Sequence, residues 1–205
     1  MTSPRPLASR QPPEPPALHA RAMDNLEFIR DTMERAGSFT AVSGWGMVAV
    51  GVSAALAAVI ASQTASREAW LGVWLIAAVV SLAISGSAIA RKARAAKMPL
   101  LSGPAKKFAL SFSPPIIVGA VLTVVLFRAG FTAVLPGLWL MLYGTAVIAG
   151  GAFSVPVVPV MGLAFMLTGI IALLTPPLWS DIILGASFAV FHIAFGVPIA
   201  RRHGG

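Results

Sequence analysis

From Thr40 onward the chain is a succession of long apolar runs separated by short polar stretches. Six runs stand out: 40–61, 69–90, 109–127, 133–153, 155–174 and 182–200. Each holds about 20 residues and, at ~1.5 Å per residue, reaches across a hydrocarbon core of ~30 Å. The runs are rich in Ala, Val, Leu and Ile, with frequent Gly. They lack the period-two alternation of a lipid-facing barrel strand. The predicted fold is all-α and polytopic, a bundle of six transmembrane helices over 38–201 followed by a short tail, 202–205.

The polar pattern before the first run predicts two further segments. Residues 1–19 carry six prolines centred on Gln11-Pro12-Pro13-Glu14-Pro15-Pro16. That composition cannot offset the entropy of folding and favours a disordered tail sampling polyproline II. A charged stretch follows before any apolar run, which argues against a signal peptide. Residues 20–37 read as an amphipathic helix. Ala22, Leu26, Ile29, Met33 and Ala36 recur at alternating spacings of four and three, and the opposite face is charged. Arg30–Glu34 and Asp31–Arg35 are placed to pair at i,i+4, and Gly37 suits the C-cap.

Basic residues fix the expected orientation. Five precede the first run, six lie between 91 and 107 (Arg91, Lys92, Arg94, Lys97, Lys106 and Lys107), and Arg201 and Arg202 end the chain. The alternate loops hold only Arg67 and Arg128. The positive-inside bias therefore places both termini in the cytoplasm. Trp70, Trp74, Trp139 and Trp179 fall near the outer interface, where indoles anchor, and Trp45 near the inner one. The odd-numbered spans are entered through Phe39-Thr40, Phe112-Ser113 and Phe153-Ser154, and the even-numbered ones start near a Trp. This recurrence suits three helical hairpins in series. It suits equally the ordinary preference of Phe and Trp for interfaces.

Composition agrees. Of 205 residues, 57% are hydrophobic and 11% charged, with a mean hydropathy of +0.85, where soluble domains carry about 25% charged residues. The net charge of +8 raises a nucleic-acid reading. The 91–107 segment, however, lies between two spans with one aromatic beside it, Phe108, so anionic lipid is the expected partner there and nucleic acid is not. With no cysteine, disulfides, thiolate metal sites and cysteine nucleophiles are excluded.

Little chemistry is visible within the spans. No Asp, Glu or Lys lies in any run away from its ends, whereas proton relays and coupled transporters place ionisable groups at depth. His192 is the conspicuous exception, and Tyr143 the other candidate buried polar position. His192 reads either as a proton-sensing or ligand-binding imidazole or as a neutral group bonded to a neighbouring helix. Histidines do not cluster, so no haem, metal or other cofactor is expected. No nucleophile elbow, phosphate loop or His-Glu-x-x-His motif appears, and no enzymatic activity is expected. Gly144, Gly150 and Gly151, and Ser81, Ser85 and Ser87, read as close-packing faces. Ser113-Pro114 and Pro159 predict that spans three and five become regular only from those points. Such interruptions either mark a substrate site or simply define helix starts.

Three stretches resemble a group of multi-pass membrane proteins of GC-rich bacteria. They are Arg30-Asp31-Thr32-Met33-Glu34-Arg35-Ala36-Gly37-Ser38-Phe39-Thr40; Leu135-Pro136-Gly137-Leu138-Trp139 through Gly150-Gly151-Ala152-Phe153-Ser154; and His192-Ile193-Ala194-Phe195-Gly196 to Arg201-Arg202-His203-Gly204-Gly205. The resemblance covers the chain from about residue 23 and implies a bacterial inner-membrane location. It brings no activity and no catalytic residue. The expected function is a non-enzymatic scaffold or regulatory subunit acting through its cytoplasmic face. The alternative is a small uncoupled transporter or channel lined by His192 and Tyr143. Leu26, Ile29 and Met33 are the expected contact element, since burying each is worth roughly 1.5–3 kcal/mol. They would bury against the protein's own inner loops, a second copy, or a cytoplasmic partner.

Overall fold

The computed structural model describes residues 21, 23–29, 43–95 and 102–203. The Pro-rich tail, Met33, Gly37, Lys97 and residues 204–205 lie outside that set. Residues 21 and 23–29 are helical (α1), and every one of them is exposed, Leu26 and Ile29 included. Phe28, on the face opposite the predicted stripe, is exposed as well, so the charged face is not purely polar.

Six longer helices follow: α2 (Gly44–Ala61), α3 (Arg67–Ala95), α4 (Gly103–Arg128), α5 (Leu135–Gly151, led by a 3-10 turn at Thr132–Val134), α6 (Val157–Leu174) and α7 (Pro177–His203). All six are long and apolar enough to cross a bilayer, and no strand occurs among the described residues. The predicted all-α, six-span fold is what the chain adopts.

Several boundaries differ from those the hydropathy pattern suggested, and capping explains most of them. The third span does not wait for Ser113-Pro114. It starts at Gly103, where Ser102 accepts a hydrogen bond from the Ala105 N–H at 3.4 Å and Pro104 occupies the first turn. Pro114 and Pro115 lie inside the helix. They withhold N–H donors from the Leu110 and Ser111 carbonyls without ending it, as spanning helices tolerate. Pro159 does not delay α6 either: the helix begins at Val157, and Pro159 sits in a first turn whose N–H groups have no helical acceptor. The last span begins at Pro177, not residue 182, because the Trp179 and Ser180 N–H groups both bond back to the Pro176 carbonyl. Ser180 Oγ also donates to the Ala172 carbonyl at 2.6 Å, closing the end of α6. The predicted 91–107 loop is largely helical, because α3 runs to Ala95 and α4 opens at Gly103.

Consecutive helices pack as hairpins: α2 with α3, α4 with α5, α6 with α7. Two seams between hairpins, α5–α6 and α2–α7, are the most extensive in the molecule. Both are built on small residues seven apart. In α5 these are Gly137, Gly144 and Gly151, facing Gly169, Gly162 and Val158 of α6. A Cβ on Gly144 would lie 2.6 Å from the Gly162 carbonyl oxygen, and one on Gly162 would lie 2.7 Å from the Gly144 oxygen. The two backbones are in contact, which only glycine permits. In α2, Gly44, Gly51 and Ala58 play the same part against Gly196, Ala189 and Gly185 of α7.

The connections are short, and Gly130, at φ +82°, supplies the left-handed residue that turns α4 toward α5. The core lies among α2, α5, α6 and α7, with Leu135, Leu140, Phe165 and Leu184 fully enclosed. By contrast, α3 and α4 each bury 11% of their apolar stretch, against 44% for the α5 span.

The up-and-down course gives the bundle two chemically different ends. One carries Arg91, Lys92, Arg94, Lys106, Lys107 and Arg201; the other carries most of the tryptophans. Trp70 stacks on Trp139 at 5.4 Å between centroids, and Trp139 Nε1 donates to Thr123 Oγ1 at 2.8 Å. Trp179 is exposed, as expected of an interface anchor, but Trp74 is not: it is buried in the core. Its indole N–H is enclosed with no hydrogen-bond partner. The two indoles therefore respond oppositely to removal of the N–H. Trp74→Phe is expected to leave thermal stability unchanged or raise it, because an unmade donor is lost. Trp139→Phe should cost about 1 kcal/mol through the lost bond to Thr123. Thermal melts of the two purified variants check this, and a larger loss at Trp74 would contradict it.

Candidate functional site

The polar groups singled out in the spans come together. Tyr143, in the middle of α5, and His192, on α7, are 49 residues apart in sequence, yet Tyr143 Oη lies 2.7 Å from His192 Nε2. His192 Nδ1 lies 2.9 Å from the carbonyl oxygen of Phe188, one turn earlier in α7. A carbonyl only accepts, so Nδ1 carries the proton and donates to it. Nε2 is then the lone-pair nitrogen, and the tyrosine hydroxyl donates to it. In the neutral ring that an apolar setting favours, both nitrogens are engaged, and the bond to Tyr143 ties His192 to a neighbouring helix.

Aromatic rings surround the pair. Phe188 stacks on His192 at 5.7 Å, and Phe165 of α6 meets Tyr143 at 4.8 Å and His192 at 5.5 Å, edge on. Phe191 packs on Phe165, and Phe112 of α4 meets the tyrosine from the other side. Only 3% of His192 is exposed. Gly51 of α2 makes room at the same level, for a Cβ there would stand 3.1 Å from His192 Cβ and 2.8 Å from the Ala189 carbonyl oxygen. Five helices, α2, α4, α5, α6 and α7, therefore converge on one hydrogen-bonded pair in an apolar setting, where an unmade bond would be costly.

The sequence offered signals for this cluster beyond the two polar residues. Phe188, Phe191 and Phe195 lie at helical spacing around His192, and the seven-residue glycine pattern marks the seams that bring α5 and α7 together. Of the other positions, Ser81 faces Ser53 of α2 with their hydroxyls 3.4 Å apart. Ser87 is exposed and bonds its own helix at the Ile84 carbonyl, so it is not part of a packing face. Thr145, beside Gly144, donates to its own Met141 carbonyl and also approaches Met166 Sδ of α6 at 3.9 Å. Among the described residues, no three of His, Cys, Asp and Glu come together.

The fold and this interior define an all-α, multi-pass membrane protein whose central polar pair binds its own helices together. No protein family, curated protein or solved structure matches the chain.

Proposed function

We propose that the protein is a non-enzymatic scaffold or regulatory subunit of a bacterial inner membrane, acting through its basic end. The positive-inside bias assigns that end to the cytoplasm. The observation that carries this reading is the closed state of the interior. The buried imidazole of His192 is held by Tyr143 and by a carbonyl of its own helix and is walled by phenylalanines. A transport path lined by His192 and Tyr143 would need these groups turned toward a solute, and each instead holds the other. Among the described residues of the spans, the exposed cations gather mainly at the basic end, with Arg91, Arg94, Lys106, Lys107 and Arg201 there against Arg67 and Arg128 at the other.

Photo-crosslinking in intact cells tests the proposal. A crosslinker at Leu26 or Arg201 is expected to trap one discrete protein partner, and one at Leu178, at the opposite end, to trap none. Equal labelling from both ends, or none from either, would count against the scaffold reading. Reporter fusions after Gly205 and within 62–66 check the orientation, with a cytoplasmic signal expected from the first and a periplasmic one from the second.

A further inference from the structure

Three hairpins in series would close a ring through three seams, and this molecule closes two. The third, between α3 and α4, makes no extended contact among the described residues. The two helices are linked at the tryptophan end, where Trp70 of α3 stacks on Trp139 and Trp139 donates to Thr123 of α4. Their apolar stretches are otherwise largely exposed, with 11% of each buried. At the opposite end α3 finishes with Arg91 and Arg94, and α4 opens with Lys106 and Lys107, all four exposed. Among the described residues of the six spans, Glu68 and Asp181 are the acidic groups, and both lie at the tryptophan end.

We propose that the α3–α4 seam is a binding site for one anionic phospholipid. Arg91, Arg94, Lys106 and Lys107 take the headgroup phosphate, and the acyl chains run between the two helices toward the Trp70–Trp139 pair. Charge selects this occupant. A second copy inserted in the same orientation would bring its own four cations against these four, and like charges facing each other oppose such pairing. A phosphate with two acyl chains matches both halves of the seam: cations where the helices meet the interface, and apolar side chains over the rest. The proposal does not depend on the scaffold reading, which concerns protein partners.

A basic end attracts anionic lipid in a general way, so the test needs a control at the same end outside the seam. Arg201 supplies it, being exposed at the end of α7, whose partner α2 closes its own seam. The full-length protein is placed in nanodiscs of phosphatidylcholine doped with phosphatidylglycerol, and lipid retained after mild delipidation is measured by native mass spectrometry. The wild type is expected to keep one phosphatidylglycerol in preference to phosphatidylcholine. Lys106→Gln with Lys107→Gln should weaken that binding about 25-fold, at about fivefold per cation removed. Arg91→Gln with Arg94→Gln, from the other side of the seam, should do the same, and Arg201→Gln should change it less than about twofold. Equal retention of the two lipids by the wild type would overturn the proposal. So would an Arg201→Gln effect as large as either pair's, or one pair without effect in a variant whose melting temperature is unchanged.

Discussion

Gly144→Ala is expected to destabilise the protein by about 3 kcal/mol, the upper range for forcing extra volume into a packed interior. One methyl group is enough because its neighbours cannot move aside. The added carbon would meet the Gly162 carbonyl oxygen at 2.6 Å and the Met166 amide nitrogen at 2.9 Å. Both are backbone atoms of α6, and no change of rotamer relieves them. The two helices would have to separate, opening the seam from Gly137 to Gly151 as well. Gly72→Ala on α3 provides the contrast, since nothing lies within 4 Å of a Cβ there. It should be neutral or stabilising by up to about 1 kcal/mol through helix propensity. Thermal unfolding followed by size exclusion distinguishes the two. Similar melting temperatures for both variants would mean that the α5–α6 backbones are not in contact.

The second large effect concerns the Tyr143–His192 pair, and its signature is non-additivity. Tyr143→Phe leaves the His192 Nε2 lone pair without a donor among aromatic rings, and His192→Leu leaves the tyrosine hydroxyl without its acceptor. Each single variant should lose about 1–3 kcal/mol, the cost of a buried polar group left unpaired. The double variant removes both groups together. It should fall short of the sum of the single losses by at least about 1 kcal/mol. A double-mutant cycle on unfolding free energies measures this term. Strict additivity would mean that the two groups do not bond to each other.

How much of this was readable in the sequence follows from which forces act locally. The number of spans was legible because a bilayer requires about 20 apolar residues for each crossing, and the composition left no other way to bury them. The ends of the helices were less so. Hydropathy records where the hydrocarbon slab begins, whereas Ser102, Pro156 and Pro177 set where the backbone begins to coil. Hence α4 starts six residues before its apolar run, and α7 starts five before. His192 and Tyr143 were legible as positions that must be satisfied, since a polar group within an apolar run has no water to turn to. That they satisfy each other was not, because the bond joins helices 49 residues apart. Which helices meet was written in the sequence in a form that hydropathy does not weigh: the seven-residue spacing of Gly137, Gly144 and Gly151, and of Gly44, Gly51 and Ala58. Trp74 shows the opposite failure. Its side chain has the composition of an interface anchor, and packing of α3 on the core overrides that preference.

The seam between α2 and α7 joins two helices with four others between them in the chain, and this sets when that half of the core can close on the ribosome. The α2–α3 hairpin enters the membrane with its row of Gly44, Gly51 and Ala58 turned to lipid, for the residues that cover it, from Gly185 to Ala200, are made only after α3, α4, α5 and α6. The α4–α5 hairpin and α6 can form their own glycine seam in the meantime. A ribosome stalled before Gly185 would thus leave one half of the core assembled and the other open. Until α7 is made, α2 stands in the membrane with α3 on one side and its glycine face uncovered, for surveillance proteases to find.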